Sequence, residues 1–183
     1  MKKKIFTFLL TIFFILPVLS QTSTSKKTVS PGKDIAVSFG VNLPIGNFSS
    51  THFIGMAVDV SPARHTFGLT RVRKFIFTYN GGFAYYLGKK ETVSGSPYKY
   101  PGYSFMHAFA GLLYNPIVKT SISLTAGPAI GIYNSTTRFT IGSKLAASYF
   151  VNSKIAVGPG IVIMKEFGSD PLWVVSVKAT RRF

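Results

Sequence analysis

Apolar and polar residues alternate one for one through eight stretches of this chain. The pattern is plainest in residues 172–183, where Trp173, Val175, Val177, Ala179 and Phe183 are apolar and Ser176, Lys178, Thr180 and Arg182 stand between them. Successive side chains of a β-strand point to opposite faces, so a period of two predicts strands with one apolar face and one polar face. Residues 34–43 show it almost without a break, with Ile35, Val37, Phe39, Val41 and Leu43 set against Asp34, Ala36, Ser38, Gly40 and Asn42. The same reading predicts strands over 52–61, 75–87, 104–114, 121–133, 138–151 and 154–166. In 104–114 both faces carry apolar residues. The favoured assignment sends Met106, Ala108, Ala110, Leu112 and Tyr114 outward and leaves Phe109 and Leu113 on the face of His107.

The stretches between these strands hold turn residues. Pro, Gly, Asn and Ser crowd 44–51, 134–137 and 168–171, as expected where the chain reverses. Residues 62–74 form a basic connector with Arg64, His65, Arg71, Arg73 and Lys74, and 88–103 is the longest loop, marked by Tyr98, Tyr100 and Tyr103.

Composition sharpens this picture. Of 183 residues, 46% are hydrophobic and 15% aromatic, yet beyond the N-terminus no apolar run approaches the ~20 residues a membrane helix needs. The apolar residues are therefore spread through short two-faced segments. In lipid an unpaired backbone N–H or C=O is very costly, so strands cross only when the sheet closes on itself and leaves no edge. Eight such segments of about 9–11 residues satisfy that condition as a small barrel. The fold predicted is all-β, an eight-stranded antiparallel up-and-down transmembrane β-barrel over residues 34–183.

The N-terminus supports export. Lys2, Lys3 and Lys4 precede an apolar block and the sequence Val18-Leu19-Ser20, which together read as a signal peptide over 1–20 cut after Ser20. Residues 21–33, rich in Ser, Thr and Lys, read as a flexible periplasmic leader, and an even strand number then leaves both termini in the periplasm. The absence of cysteine removes disulfides, thiol catalysis and lipid attachment through a cysteine. A formal charge of +16, falling to about +13 without the three leader lysines, commonly signals nucleic acid. No basic helix or aromatic-plus-basic recognition motif accompanies it here, so outer-membrane lipid and lipopolysaccharide phosphates are the expected counter-charges.

Within the barrel the polar faces carry Asp34, Asp59, Lys144, Glu166, Lys178 and Arg182. A lone buried charge costs far more than a paired one, so these are expected to plug the lumen as salt bridges. An ion path lined by the same charges is the sharper alternative. The three histidines His52, His65 and His107 lack metal-ligand spacing, and neither a metal nor any other cofactor is expected. A hydrolase would need a constellation such as His52 with Ser49 or Ser50 and Asp170. Serine and aspartate are ordinary turn residues, however, and no enzyme is expected.

The hairpin sequence Phe39-Gly40-Val41-Asn42-Leu43-Pro44-Ile45-Gly46-Asn47-Phe48-Ser49 and the closing pair Arg182-Phe183 resemble the small outer-membrane β-barrel superfamily, the OmpA/OmpX-like barrels and their uncharacterised β-barrel-domain relatives. The resemblance spans residues 34–183. It implies that Phe183 is part of the signal read by the barrel-assembly machinery, although Arg181 stands where that family usually has an aromatic. The function expected is a monomeric integral outer-membrane barrel with a structural or interaction role. Tyr98, Tyr100 and Tyr103 mark its external contact loop, for an extracellular partner that the sequence does not name. A soluble lipocalin-like carrier of an apolar ligand is the runner-up, and it requires the apolar faces to point inward.

Overall fold

The computed structural model describes residues 35–63, 75–93 and 95–183. The expected signal peptide, the leader, Asp34, and Arg64, His65, Arg71, Arg73 and Lys74 of the basic connector lie outside the described residues. The strands are β1 (Ile35–Ile45), β2 (His52–Pro62), β3 (Phe75–Gly88), β4 (Lys90–Val93), β5 (Ser96–Lys99), β6 (Tyr103–Tyr114), β7 (Thr120–Tyr133), β8 (Thr136–Phe150), β9 (Ile155–Glu166) and β10 (Leu172–Arg182), with one helical turn, α1 (Phe48–Thr51), between β1 and β2. Eight strands close a barrel in the order β1-β10-β9-β8-β7-β6-β3-β2, and β4-β5 form a separate hairpin. Every described pairing is antiparallel. Closure comes from β1 against β10, from Ala36↔Arg182 to Ile45↔Trp173.

The apolar faces look outward. Phe39 is 55% exposed, and Val41, Leu43, Met56, Val60, Phe77, Leu124, Ile141 and Val177 are exposed with it. A barrel strand of 11 residues tilted ~35–45° rises roughly 27 Å at ~3.3 Å per residue, enough to match an apolar band about 25 Å tall. No described helix is long and apolar enough to cross a membrane. A soluble carrier needs its apolar faces inside, and the reverse is observed. The favoured facing of the fourth predicted strand holds in β6, where Met106, Ala108, Ala110 and Leu112 are exposed while Phe109 and Leu113 are buried.

The structure moves several predicted boundaries. β1 runs through Pro44 and Ile45, because its ladder with β2 ends at Asn42↔Gly55 while its ladder with β10 continues to Ile45↔Trp173. The missing N–H of Pro44 therefore falls where the strand has one neighbour instead of two. Between His52 and Gly55 the register shifts, and Phe53 joins the outward residues. Asn134 and Ser135 alone make the β7–β8 turn, with φ of 47° and 63°, as a two-residue type I′ hairpin requires. Residues 88–103 are not an irregular loop, because β4 and β5 pair within them from Lys90↔Lys99 to Val93↔Ser96.

The interior is layered. Toward the α1 end, Phe48, Tyr86, Tyr103, Phe105, Phe109, Val162, Met164 and Val174 pack into one buried cluster. Toward the end that holds Ile35 and Arg182, a smaller cluster joins Ala36, Ala63, Phe150 and Ala156. Between them lies a polar zone. The charges expected to plug the lumen thus share it with aromatic rings, which fill the barrel in the α1-side half.

Candidate functional site

The polar zone is built around Asp59 on β2. Its neighbours on the same inward face are small, Ala57 on β2 and Gly82 opposite on β3, so the carboxylate has room to reach across the lumen. A Cβ on Gly82 would strike Asp59 Oδ1 and His107 Cε1. Lys144 on β8 donates to Asp59 Oδ2 at 2.7 Å, and Lys178 on β10 donates to the same oxygen. Lys178 passes over Gly40 of β1, where a Cβ would meet its Cγ. His107 on β6 brings Nε2 to 3.4 Å from Asp59 Oδ1 and 3.1 Å from Asn80 Oδ1, while Asn80 donates to Thr125 at 3.4 Å. Asp59 Oδ1 and His107 Nδ1 have no hydrogen-bond partner among the described residues.

Beside this cluster is a cavity of about 70 Å³ lined by Lys144, Lys178 and hydroxyl side chains from six strands, among them Ser38, Thr78, Ser123, Ser148, Ser176 and Thr180. Ser38 and Thr180 bond each other across the β1–β10 seam at 2.8 Å. Two other polar contacts sit in the α1-side half. Tyr103 donates to Glu166 Oε1 at 2.7 Å, and Arg138 meets Glu166 Oε2 at 3.2 Å. Asn42 donates to the hydroxyl of Tyr86 at 3.0 Å.

Of the charges expected in the lumen, Asp59, Lys144 and Lys178 meet in one cluster, and Glu166 lies apart with Tyr103 and Arg138. Arg182 is at the end of β10, opposite Ala36. Arg138 was not among the expected lumen charges, and only the fold brings it over Glu166. Tyr103 is a correction. Placed by sequence in the external loop, it is the first residue of β6 and only 3% exposed. Its position is set by parity, since it shares the inward face of Phe105, His107 and Phe109.

Tyr98 and Tyr100 do belong to the hairpin. Their rings meet edge to face at 5.0 Å, and Tyr100 donates to Glu91 at 3.3 Å. Desolvation first, then the charge and hydrogen bond of Glu91, raise the Tyr100 hydroxyl above its ordinary value, so it remains a donor at neutral pH. Lys90 and Lys99 stand directly opposite on the other face. Lys89 ties the hairpin base to α1 through the carbonyl of Ser49.

The residues considered for hydrolysis do not assemble. His52 is buried against Phe48 and Tyr103 with Nδ1 2.8 Å from Thr51 Oγ1. Ser49 and Ser50 donate to Gly46 and Asn47 carbonyls, and Asp170 accepts from Asn47 at 3.1 Å. No group of three or more metal-ligating side chains occurs among the described residues. Phe183 is 66% exposed, its N–H donates to the Ile35 carbonyl at 2.8 Å, and the Arg181 guanidinium lies 5.1 Å from its ring centre.

No family model and no curated protein matches this sequence. Solved structures do match in fold. The N-terminal β-barrel domain of OprF from Pseudomonas aeruginosa aligns with a TM-score of 0.57 at 8% identity, over 82% of this chain and 98% of that one. Ail, the attachment invasion locus protein of Yersinia pestis, aligns at 0.54 with 9% identity, over 82% and 99%. The chain folds as a small eight-stranded outer-membrane barrel. Ail has also been crystallised in complex with the heparin analogue sucrose octasulfate, and that structure aligns at 0.56 with 11% identity, over 82% and 98%. The closed sheet and the exposed apolar band are features of that fold.

Proposed function

We propose that this outer-membrane barrel is a monomeric, non-catalytic scaffold that holds its β4–β5 hairpin outside the cell as a contact surface for polyanionic saccharide or lipid phosphate. The observation that carries this reading is the hairpin itself, which stands outside the barrel pairing and exposes Lys90, Lys99 and Tyr98. Like charges directly opposite on a hairpin repel one another. A shared anion converts that repulsion into binding. Glu91, the only carboxylate of residues 89–100, is occupied by Tyr100 on the other face. The crystal complex of Ail with a sulfated saccharide analogue supports this class of ligand on a barrel of the same fold.

In this reading the α1 end faces outward, the chain termini are periplasmic, and Phe183, exposed beside Arg181, serves the assembly machinery during insertion. Trypsin applied to intact cells tests the topology. Cleavage is expected after Lys90 or Lys99, with Lys119 and Lys154 at the opposite end protected. Cleavage at Lys119 and Lys154 with an intact hairpin inverts the orientation and removes the contact surface. Exchanging Lys90→Glu together with Lys99→Glu is expected to abolish binding to lipopolysaccharide vesicles at low salt while leaving the barrel folded.

A further inference from the structure

The lumen holds more positive than negative charge. Lys144 and Lys178 both donate to one oxygen of Asp59, so two ammonium groups share a single carboxylate, and His107 adds no negative charge. The whole chain has five acidic residues. Glu91 is held by Tyr100, Glu166 by Tyr103 and Arg138, and Asp170 by Asn47 at the rim. Asp34 lies outside the described residues.

The donors are in surplus as well. Each ammonium carries three N–H groups and has one hydrogen-bond partner among the described residues, the shared Asp59 oxygen. Both line the cavity of about 70 Å³ together with Asp59 and the hydroxyls of Thr78, Ser121, Ser123 and Ser148. Since about 10–15 Å³ of such space holds one water, a monatomic ion with companion waters fits. A buried charge without a counter-charge is far less stable than a paired one, and the surrounding lipid deepens that penalty.

We propose that this cavity is an internal binding site for one small monovalent inorganic anion of halide size, held by Lys144, Lys178 and the neighbouring serine and threonine hydroxyls. The anion brings the cluster of Asp59, Lys144 and Lys178 to neutrality and takes up the spare N–H groups. The aromatic packing that fills the lumen on the α1 side makes it a resident ion rather than a permeating one.

The full chain, refolded in detergent micelles, provides the test. In the first arm it is crystallised from sodium bromide, and anomalous scattering at the bromine edge is expected to show one ion between the two ammonium nitrogens and the cavity hydroxyls. In the second, urea midpoints read by gel mobility are followed as chloride replaces gluconate at constant ionic strength. A saturating rise is expected. Lys144→Met and Lys178→Met should each raise the half-saturating chloride concentration at least about tenfold, and Asp59→Asn, which adds to the positive excess, should lower it. If Asp59→Asn does not refold, the lysine variants and the bromide map decide. Absence of the bromide peak, a midpoint indifferent to chloride, or unchanged half-saturation in both lysine variants overturns the proposal. So does a chloride effect that emerges only in Asp34→Asn, because Asp34 would then be the counter-charge.

Discussion

Asp59 is the residue on which the lumen depends most, because it is the shared acceptor for Lys144 and Lys178. Removing one partner of a buried ion pair leaves an uncompensated charge, typically at a cost of about 3–5 kcal/mol. Asp59→Asn is therefore expected to lower unfolding stability in urea by about that amount when measured in gluconate. A loss below about 1 kcal/mol, the range of exposed pairs, would show that the cluster is solvated. The glycines around it act through space rather than through backbone freedom. Gly82→Ala places a methyl against Asp59 Oδ1, His107 Cε1 and the Val58 carbonyl, and overpacking of this kind costs about 1–3 kcal/mol. The same urea titration reads it. If the neighbours give way freely, the midpoint will not move.

At the scale of elements, the two-residue turn Asn134-Ser135 joins the most extensive ladder, fourteen registered pairs from Thr120↔Tyr149 to Tyr133↔Thr136. Both turn residues have positive φ, a region that costs a non-glycine residue roughly 1–2 kcal/mol. Ser135→Gly turns this into the preferred Asn-Gly hairpin turn and is expected to raise stability by about 1 kcal/mol, visible as a higher temperature for loss of the fast-migrating folded band on a gel. No upward shift would mean that the turn is not limiting. The β4–β5 hairpin belongs to the other kind of element. It is tied to α1 by the Lys89 N–H, which donates to the Thr51 carbonyl at 2.9 Å, and by the Lys89 ammonium on the Ser49 carbonyl, so its sequence is free to serve contact rather than closure. Shortening it to a tight turn from Lys90 to Lys99 should leave the folded gel mobility unchanged while removing saccharide or phosphate binding.

At the scale of the whole molecule, an aromatic cluster packs the α1 end of the lumen and a small apolar cluster lies toward the other. The intact barrel is expected to give no steady conductance in a planar bilayer, whereas Tyr86→Ala with Phe109→Ala, which empties the centre of the aromatic cluster, should admit small ions. Sustained current through the unaltered protein would contradict a closed interior. The period-two alternation by itself determined the eight barrel strands and, with the closing rule that lipid imposes, the barrel; the β4–β5 hairpin lay outside it. It also determined most facings, because parity along a strand is a local property: Ile35, Phe39, Leu43, Met56 and Val177 lie outside as their alternation requires. What alternation cannot express is which inward residues meet, since that depends on register between strands far apart in the chain. Asp59 reaches Lys144 across 85 positions and Lys178 across 119, and Arg138 finds Glu166 only through the β8–β9 pairing. The same limit explains Tyr103, which local composition assigned to a tyrosine-rich loop and which the β3–β6 ladder, through Tyr86↔Tyr103, drew into the interior. Tertiary structure alone decided the contents of the lumen, because an inward face is a list of side chains until closure of the sheet sets them opposite one another.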